Sequence, residues 1–263
     1  MITALLPGGS GALTDADLLR LYAYPDDADS GSADPGCADP GAQHPYVRFN
    51  FVAAADGSAT SNGLSSGLGN DGDKRIFNLL RRLPDIILVG AGTIRAEGYE
   101  GALVDDEGQA WRRGQGLPAH PALGIISGSL DLDPSSGFFA NAPVKPLIFT
   151  SDSAPASRLD ALSHVADVVP CGAESVETGL LLKALAQRAL PRVLCEGGPA
   201  VLGALTASDA VDDLCLSLSP LLAGGEGPRI SAGKAPAGPV ALSLASLLTE
   251  DSALYIRYVK ART

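Results

Sequence analysis

A glutamate followed directly by two glycines and a proline, Glu196-Gly197-Gly198-Pro199, is the stretch of this chain best suited to chemistry. Its surroundings, RVLCEGGPAVLG, read as a strand running into a helix. Pro199 falls in the first helical turn, where its missing N–H has no intrahelical partner to lose. Glycines let a ligand approach the backbone, and a helix start offers free N–H groups with partial positive charge. Together they make a cradle for phosphate or pyrophosphate. An ordinary tight strand-to-helix turn has the same composition. A carboxylate beside an anion cradle makes sense if two ligands meet there, one held by N–H groups and one facing the acid.

A second glycine loop, VGAGTIRAEG (Val89 to Gly98), follows an apolar strand. Gly90-Ala91-Gly92 opens like a dinucleotide fingerprint, but Arg95 stands where its third glycine belongs. Asp56-Gly57 ends another strand and reads first as a turn. Lys74, Arg75, Arg81 and Arg82 share one helix, a solvated face from which an arginine could reach a phosphate. His44, His120 and His164 are scattered and no GxSxG elbow is present, which removes support for a hydrolase triad. No Cys/His set suits zinc, so no metal is expected.

The elements that must position these residues alternate along the chain. YVRFNFVAAA is a β-branched and aromatic strand. DGDKRIFNLLRRLP places Ile76, Leu79, Leu80 and Leu83 on one helical face, with Asp71 or Asp73 as cap and Pro84 as stop. DIILVG is apolar throughout, as in a strand buried on both faces. ALGIIS, PLIFT, VADVVP and RVLCEG read as further strands, and SVETGLLLKALAQRALP and GPAVLGALTAS as helices. DDLCLSLSPLL and ALYIRYVKA close the chain as antiparallel strands. Such alternation predicts an α/β fold: a mostly parallel central sheet flanked by helices, with antiparallel closing strands. Residues 1–44 are expected to form a short helical arm, TDADLLRLYAY, capped by Thr14 or Asp15, followed by a flexible acidic loop. That loop, 26–43, holds five aspartates and no lysine or arginine. Residues 45–263 are expected to form one compact domain.

Bulk properties narrow the partners. The chain has 263 residues, 46% of them hydrophobic, and no apolar run approaches the length that spans a bilayer. No basic stretch precedes an apolar block near the start, so a secretory signal is not expected. Cys37, Cys171, Cys195 and Cys215 are widely spaced, which suits free thiols in a reducing cytoplasm. With a formal net charge of −11 and no basic stripe, nucleic acid is not an expected partner. An anionic ligand must be held by a local trap against the overall field.

Taken in order, PYVRFNFVAAADGSAT, DGDKRIFNLLRRLPDIILVGAGTIRAEGY, RVLCEGGPAVLGAL and VDDLCLSLSPLLAGG resemble the reductase half of the bifunctional riboflavin-biosynthesis deaminase/reductase. The likeness runs from Pro45 to about Lys260 and is strongest to the stand-alone actinobacterial, pyrimidine reductase-like members. It implies a dihydrofolate-reductase-like fold, a soluble homodimer and NADPH as cofactor. It also implies reduction of 5-amino-6-(5-phosphoribosylamino)uracil to its ribitylamino form, by hydride transfer from nicotinamide C4 to sugar C1′. The resemblance assigns Val52 to the nicotinamide end, Ala53, Gly92, Thr93 and Glu97 to cofactor contact, and Ser127 to the adenosine end. It assigns Gly197 to the cofactor site and the backbone from Gly198 through Pro199, Ala200, Val201 and Leu202 to Ala204 to the phosphates. Ser65 (or Ser66), Arg81 and Glu196 match substrate-binding positions, Arg81 being the candidate for the ribose phosphate. Glu196, beside the substrate, is the first candidate for proton delivery, and Asp56 the second. Departures from the common enzyme are Asn50 in place of a lysine, Glu97 in place of an aspartate, no tryptophan near Gly67, and no second arginine near Val104. Three alternatives stay open: reduction of a dihydropterin, a nucleotide-binding module without turnover, and a Rossmann dehydrogenase built on Gly90-Ala91-Gly92.

Overall fold

The computed structural model describes residues 1–6, 8, 11–25 and 44–261. In chain order its elements are β1 (Thr3–Leu6), α1 (Asp15–Leu21), β2 (Tyr46–Ala54), α2 (Asp71–Leu80), β3 (Ile86–Gly90), α3 (Ala91–Glu97), α4 (Asp106–Gly114), β4 (Ala122–Ile126), α5 (Gly137–Ala140), β5 (Leu147–Thr150), α6 (Ala156–Ser163), β6 (Asp167–Pro170), α7 (Thr178–Ala186), β7 (Arg192–Cys195), α8 (Pro199–Ala207), β8 (Asp213–Ser219), β9 (Leu242–Glu250) and β10 (Ala253–Lys260). The strands form one sheet in the order β1-β9-β10-β8-β2-β7-β3-β4-β5-β6. From β8 to β6 every neighbouring pair is parallel. β10 pairs antiparallel with β8 and β9, and β9 with β1. The expected parallel sheet with antiparallel closing strands is present.

The strand order fixes where a ligand can enter. β3, β4, β5 and β6 step outward along the sheet, and the chain then returns to lay β7 between β2 and β3. A reversal of this kind opens a crevice at the carboxyl ends of the flanking strands. Alternating side chains of the central strands fill both faces. Ile87 and Val89 pack with Ile76, Leu79 and Leu80 of α2 on one side. Ile86 and Leu88 pack with Leu181, Leu185 and Leu205 of α7 and α8 on the other. Each such buried aliphatic contributes roughly 1.5–3 kcal/mol, which fixes α2 and α8 on opposite sides of β7.

Three features differ from the sequence expectations. α2 is capped by Asn70, whose side chain accepts the Asp73 N–H at 2.9 Å, rather than by Asp71 or Asp73. The aspartates occupy the first turn, where carboxylates favour the helix dipole without capping. β1, at the sheet edge, and β9 beside it are strands that the residue pattern does not separate from loop. The arm is also part of the domain. Ile2 and Leu18 are fully buried, Thr14 forms a capping box with Asp17, and the Arg257 Nη1 donates to Leu21 O at 2.6 Å. The acidic loop at 26–43 and Cys37 lie outside the described residues. Cys171, Cys195 and Cys215 are buried free thiols. Among the described residues no helix is long and apolar enough to cross a membrane.

Candidate active site

Two helices start directly from strand ends through glycine and without a side-chain cap, a cap that α5, α6 and α7 also lack. α3 begins at Gly90 and α8 at Gly198, whereas Thr14, Asn70 and Asp105 cap α1, α2 and α4. The two glycine turns are tied together, the Gly90 N–H donating to Gly197 O at 2.8 Å. Gly197 has φ +113°, a conformation that side chains resist. A Cβ on Gly198 would stand 2.8 Å from the Thr93 hydroxyl oxygen. Only bare backbone keeps the gap between these turns open.

That gap belongs to a cavity of about 910 Å³, near the upper end of small-molecule sites. Its wall includes Asn50, Val52, Ser65, Asp73, Lys74, Arg81, Gly92, Thr93, Glu97, Ser127, Glu196 and the turn from Gly197 to Val201. Residues drawn from five separate stretches of sequence therefore meet in one place. The fit to a dinucleotide rests on the open glycine turn between two uncapped helix starts, which suits an anionic pyrophosphate.

Three expected residues lie outside this wall. Ala53 follows Val52 on the strand and points to the opposite face of the sheet, where it is buried. Leu202 is on the core side of α8, packed with Leu205. Asp56 belongs to the turn after β2, where its carboxylate accepts N–H bonds from Gly224 (2.7 Å) and Ser58 (3.3 Å). Those bonds, Gly224 first, hold the exposed carboxyl below the usual range. Asp56 thus organises a turn and is remote from the role of proton donor.

Glu196 is buried at the end of β7, and its oxygens accept from three donors. Arg81 Nε and Nη2 each reach one oxygen at 2.7 Å, and the Tyr99 hydroxyl donates at 2.9 Å. Burial works against the charge on Arg81, but Glu196 more than offsets it and the guanidinium is held above its ordinary range. Burial, and then the Glu196 charge, pushes the Tyr99 phenol far up, so it stays a donor. The guanidinium also lies 4.0 Å above the Phe77 ring. In this geometry Glu196 is a fixed acceptor, and Arg81 spends its fork on that carboxylate rather than on a phosphate. Tyr99 was not singled out in the sequence. It closes the motif AEGY directly after Glu97-Gly98, and only the fold turns it onto Glu196.

The remaining expected residues are held by local bonds. Glu97 Oε1 accepts the Ser65 N–H at 2.9 Å, joining α3 to the loop before α2. Ser127, buried beyond β4, accepts the Leu130 N–H at 3.0 Å. Asp73 also lines the cavity, and burial raises its carboxyl above the usual range although the Ser217 hydroxyl and then Lys74 draw it back.

The chain is similar to several known proteins. Residues 45–254 match the model of the RibD C-terminal domain. A 2,5-diamino-6-ribosylamino-4(3H)-pyrimidinone 5′-phosphate reductase of Methanothermobacter thermautotrophicus is 30% identical over 185 residues, 70% of this chain and 82% of that protein. A reductase of the same name from Archaeoglobus fulgidus is 28% identical over 191 residues, 72% of this chain and 87% of that protein. The crystal structure of a pyrimidine reductase-like protein from Corynebacterium diphtheriae superposes with a TM-score of 0.76 at 28% identity, over 84% of this chain and 94% of that one.

Proposed function

From a chain that belongs to the RibD C-terminal domain family, we infer an NADPH-dependent reductase of a 6-ribosylaminopyrimidine 5′-phosphate. Both 5-amino-6-(5-phosphoribosylamino)uracil and the diaminopyrimidinone in the relatives' name are of this class. The observation that carries the reading is the pair of uncapped helix starts at Gly90 and Gly198, facing one cavity beside the buried Glu196.

When bound, NADPH supplies the hydride; the protein's part is to hold and orient. The open turn from Gly197 to Val201 would take the pyrophosphate, Val52 and Thr93 the nicotinamide end, and Ser127 the adenosine end. Arg81 and Tyr99 fix the Glu196 carboxylate, leaving it to accept a hydrogen bond from the sugar or the pyrimidine edge. Held this way, the acid restricts the substrate to few orientations, and such restriction is a large part of what an enzyme contributes to a hydride step. Assembly as a homodimer belongs to the same reading. Leu242 and Leu244, exposed on β9 near the sheet edge, supply apolar surface for it.

The test is direct. Purified protein, NADPH and either pyrimidine phosphate are mixed, and coenzyme absorbance is followed. Loss of absorbance with formation of the ribitylamino product is expected. Binding of NADPH without oxidation by either compound would contradict the reading.

A further inference from the structure

Resting on the reductase reading above, we propose that Asp73 is the catalytic acid, delivering a proton to the nitrogen that joins sugar and pyrimidine as hydride reaches C1′. Reduction of the opened ribosylamine, an imine, needs this partner. Hydride adds to C1′, the electron pair of the C=N bond moves to nitrogen, and a proton must arrive there as NADPH becomes NADP⁺. The two acids first considered are placed for other work. Glu196 accepts from Arg81 and Tyr99, and Asp56 is outside the cavity wall.

Asp73 is in the wall and, among the described residues, forms no ion pair with an arginine. Its own N–H is capped by Asn70, which in turn accepts from the Tyr255 hydroxyl at 2.7 Å, so the first turn of α2 is fixed. Beside it, a Cβ on Gly69 would come within 2.4 Å of Asp73 Oδ2, so a side chain there would displace the carboxyl. The Ser217 hydroxyl lies against the carboxyl from β8. Ser217 is the register partner of Val52 on β2, which puts Asp73 over the strand pair that carries the proposed nicotinamide end. The groups around it are Lys74 on the same helix, Ser217 below, and Tyr255 and Glu250 beside Gly72.

The chemistry of this setting suits a donor. Burial favours the neutral carboxyl, so a proton is held at higher pH than on an exposed aspartate. After transfer the new carboxylate remains in the first turn of α2, where the partial positive charge of the helix accommodates it. Below the raised range the acid form is present and turnover is full. As pH rises through that range the donor is lost and kcat falls.

Asp73→Asn keeps the side-chain shape and removes the proton. The expected result is a kcat lower by about 100-fold or more, with NADPH affinity kept and the high-pH decline of the wild-type profile gone. Ser217→Ala removes the hydroxyl that draws the carboxyl down, so the decline should move to higher pH. An Asp73→Asn enzyme within about threefold of wild type, or one that keeps the wild-type decline, overturns the proposal. An unmoved decline in Ser217→Ala does the same, and that variant decides if Asp73→Asn fails to bind NADPH. Wild-type protein that oxidises no NADPH with either pyrimidine phosphate sinks the reductase reading and this inference together, whereas an active Asp73→Asn sinks only the inference.

Discussion

Two buried arginine–carboxylate clusters stand at opposite ends of the same parallel strands. At the amino end, Arg48 and Arg257 converge on Asp213, with Nε–Oδ2 distances of 2.8 and 3.0 Å. Arg48 and Asp213 are register partners, and both are fully buried. Their spare donors go to main-chain carbonyls of Tyr22, Ala23 and Leu21, so the cluster stitches the first residues of the chain and β10 to the sheet. At the carboxyl end, Arg81 and Tyr99 hold Glu196 on the wall of a large cavity. In both clusters burial opposes the arginine's charge and the neighbouring carboxylate outweighs it. The difference is in what lies next to the acid. Asp213 is enclosed by protein, whereas Glu196 borders space. The same chemical pair therefore serves cohesion at one end and, under the proposed function, ligand recognition at the other, where the crevice rule for open α/β sheets puts a ligand.

Substitutions can separate these roles. Asp213→Asn leaves two buried guanidinium groups facing a neutral side chain and should cost roughly 3–5 kcal/mol of unfolding free energy. Denaturant titration checks this. A loss below about 1 kcal/mol would show that water reaches the cluster. Glu196→Gln should invert the pattern. One Arg81 donor loses its acceptor, for about 1–2 kcal/mol of stability, while kcat/KM falls about 100-fold and NADPH affinity stays. Parallel unfolding and steady-state measurements read both quantities, and a variant with normal kcat/KM would make the cleft cluster structural too. Asp56→Asn should be mildest. The turn keeps one side-chain acceptor, and kcat should remain within about twofold of wild type.

Much of this was legible in the sequence because it depended on local pattern. The apolar run Ile86–Gly90 could only be a buried strand, and Glu196-Gly197-Gly198-Pro199 carried its turn and helix start in its residue types. β1 and β9 were harder. Thr3–Leu6 is short and lies at the sheet edge, and β9 turns into β10 through Asp251 and Ser252, at φ 49° and 66°, without the glycine that usually marks a hairpin. At the site, contacts across long sequence separations were out of reach. Arg81 and Glu196 are 115 positions apart, and nothing near either residue announces the other. Asp73 was read as a possible cap because Asp is common there; the true cap, Asn70, frees its carboxyl for the cleft.

The central claim is that bare backbone at the start of α8 grips the coenzyme. Calorimetric titration of NADPH into wild type and Gly198→Val tests it most directly, because the added side chain would fill the gap facing Thr93 while Gly198 has an ordinary φ of −91°. Affinity should drop by about tenfold or more in a variant whose cooperative unfolding transition shows that it is still folded. Equal affinities for the two proteins would contradict the claim.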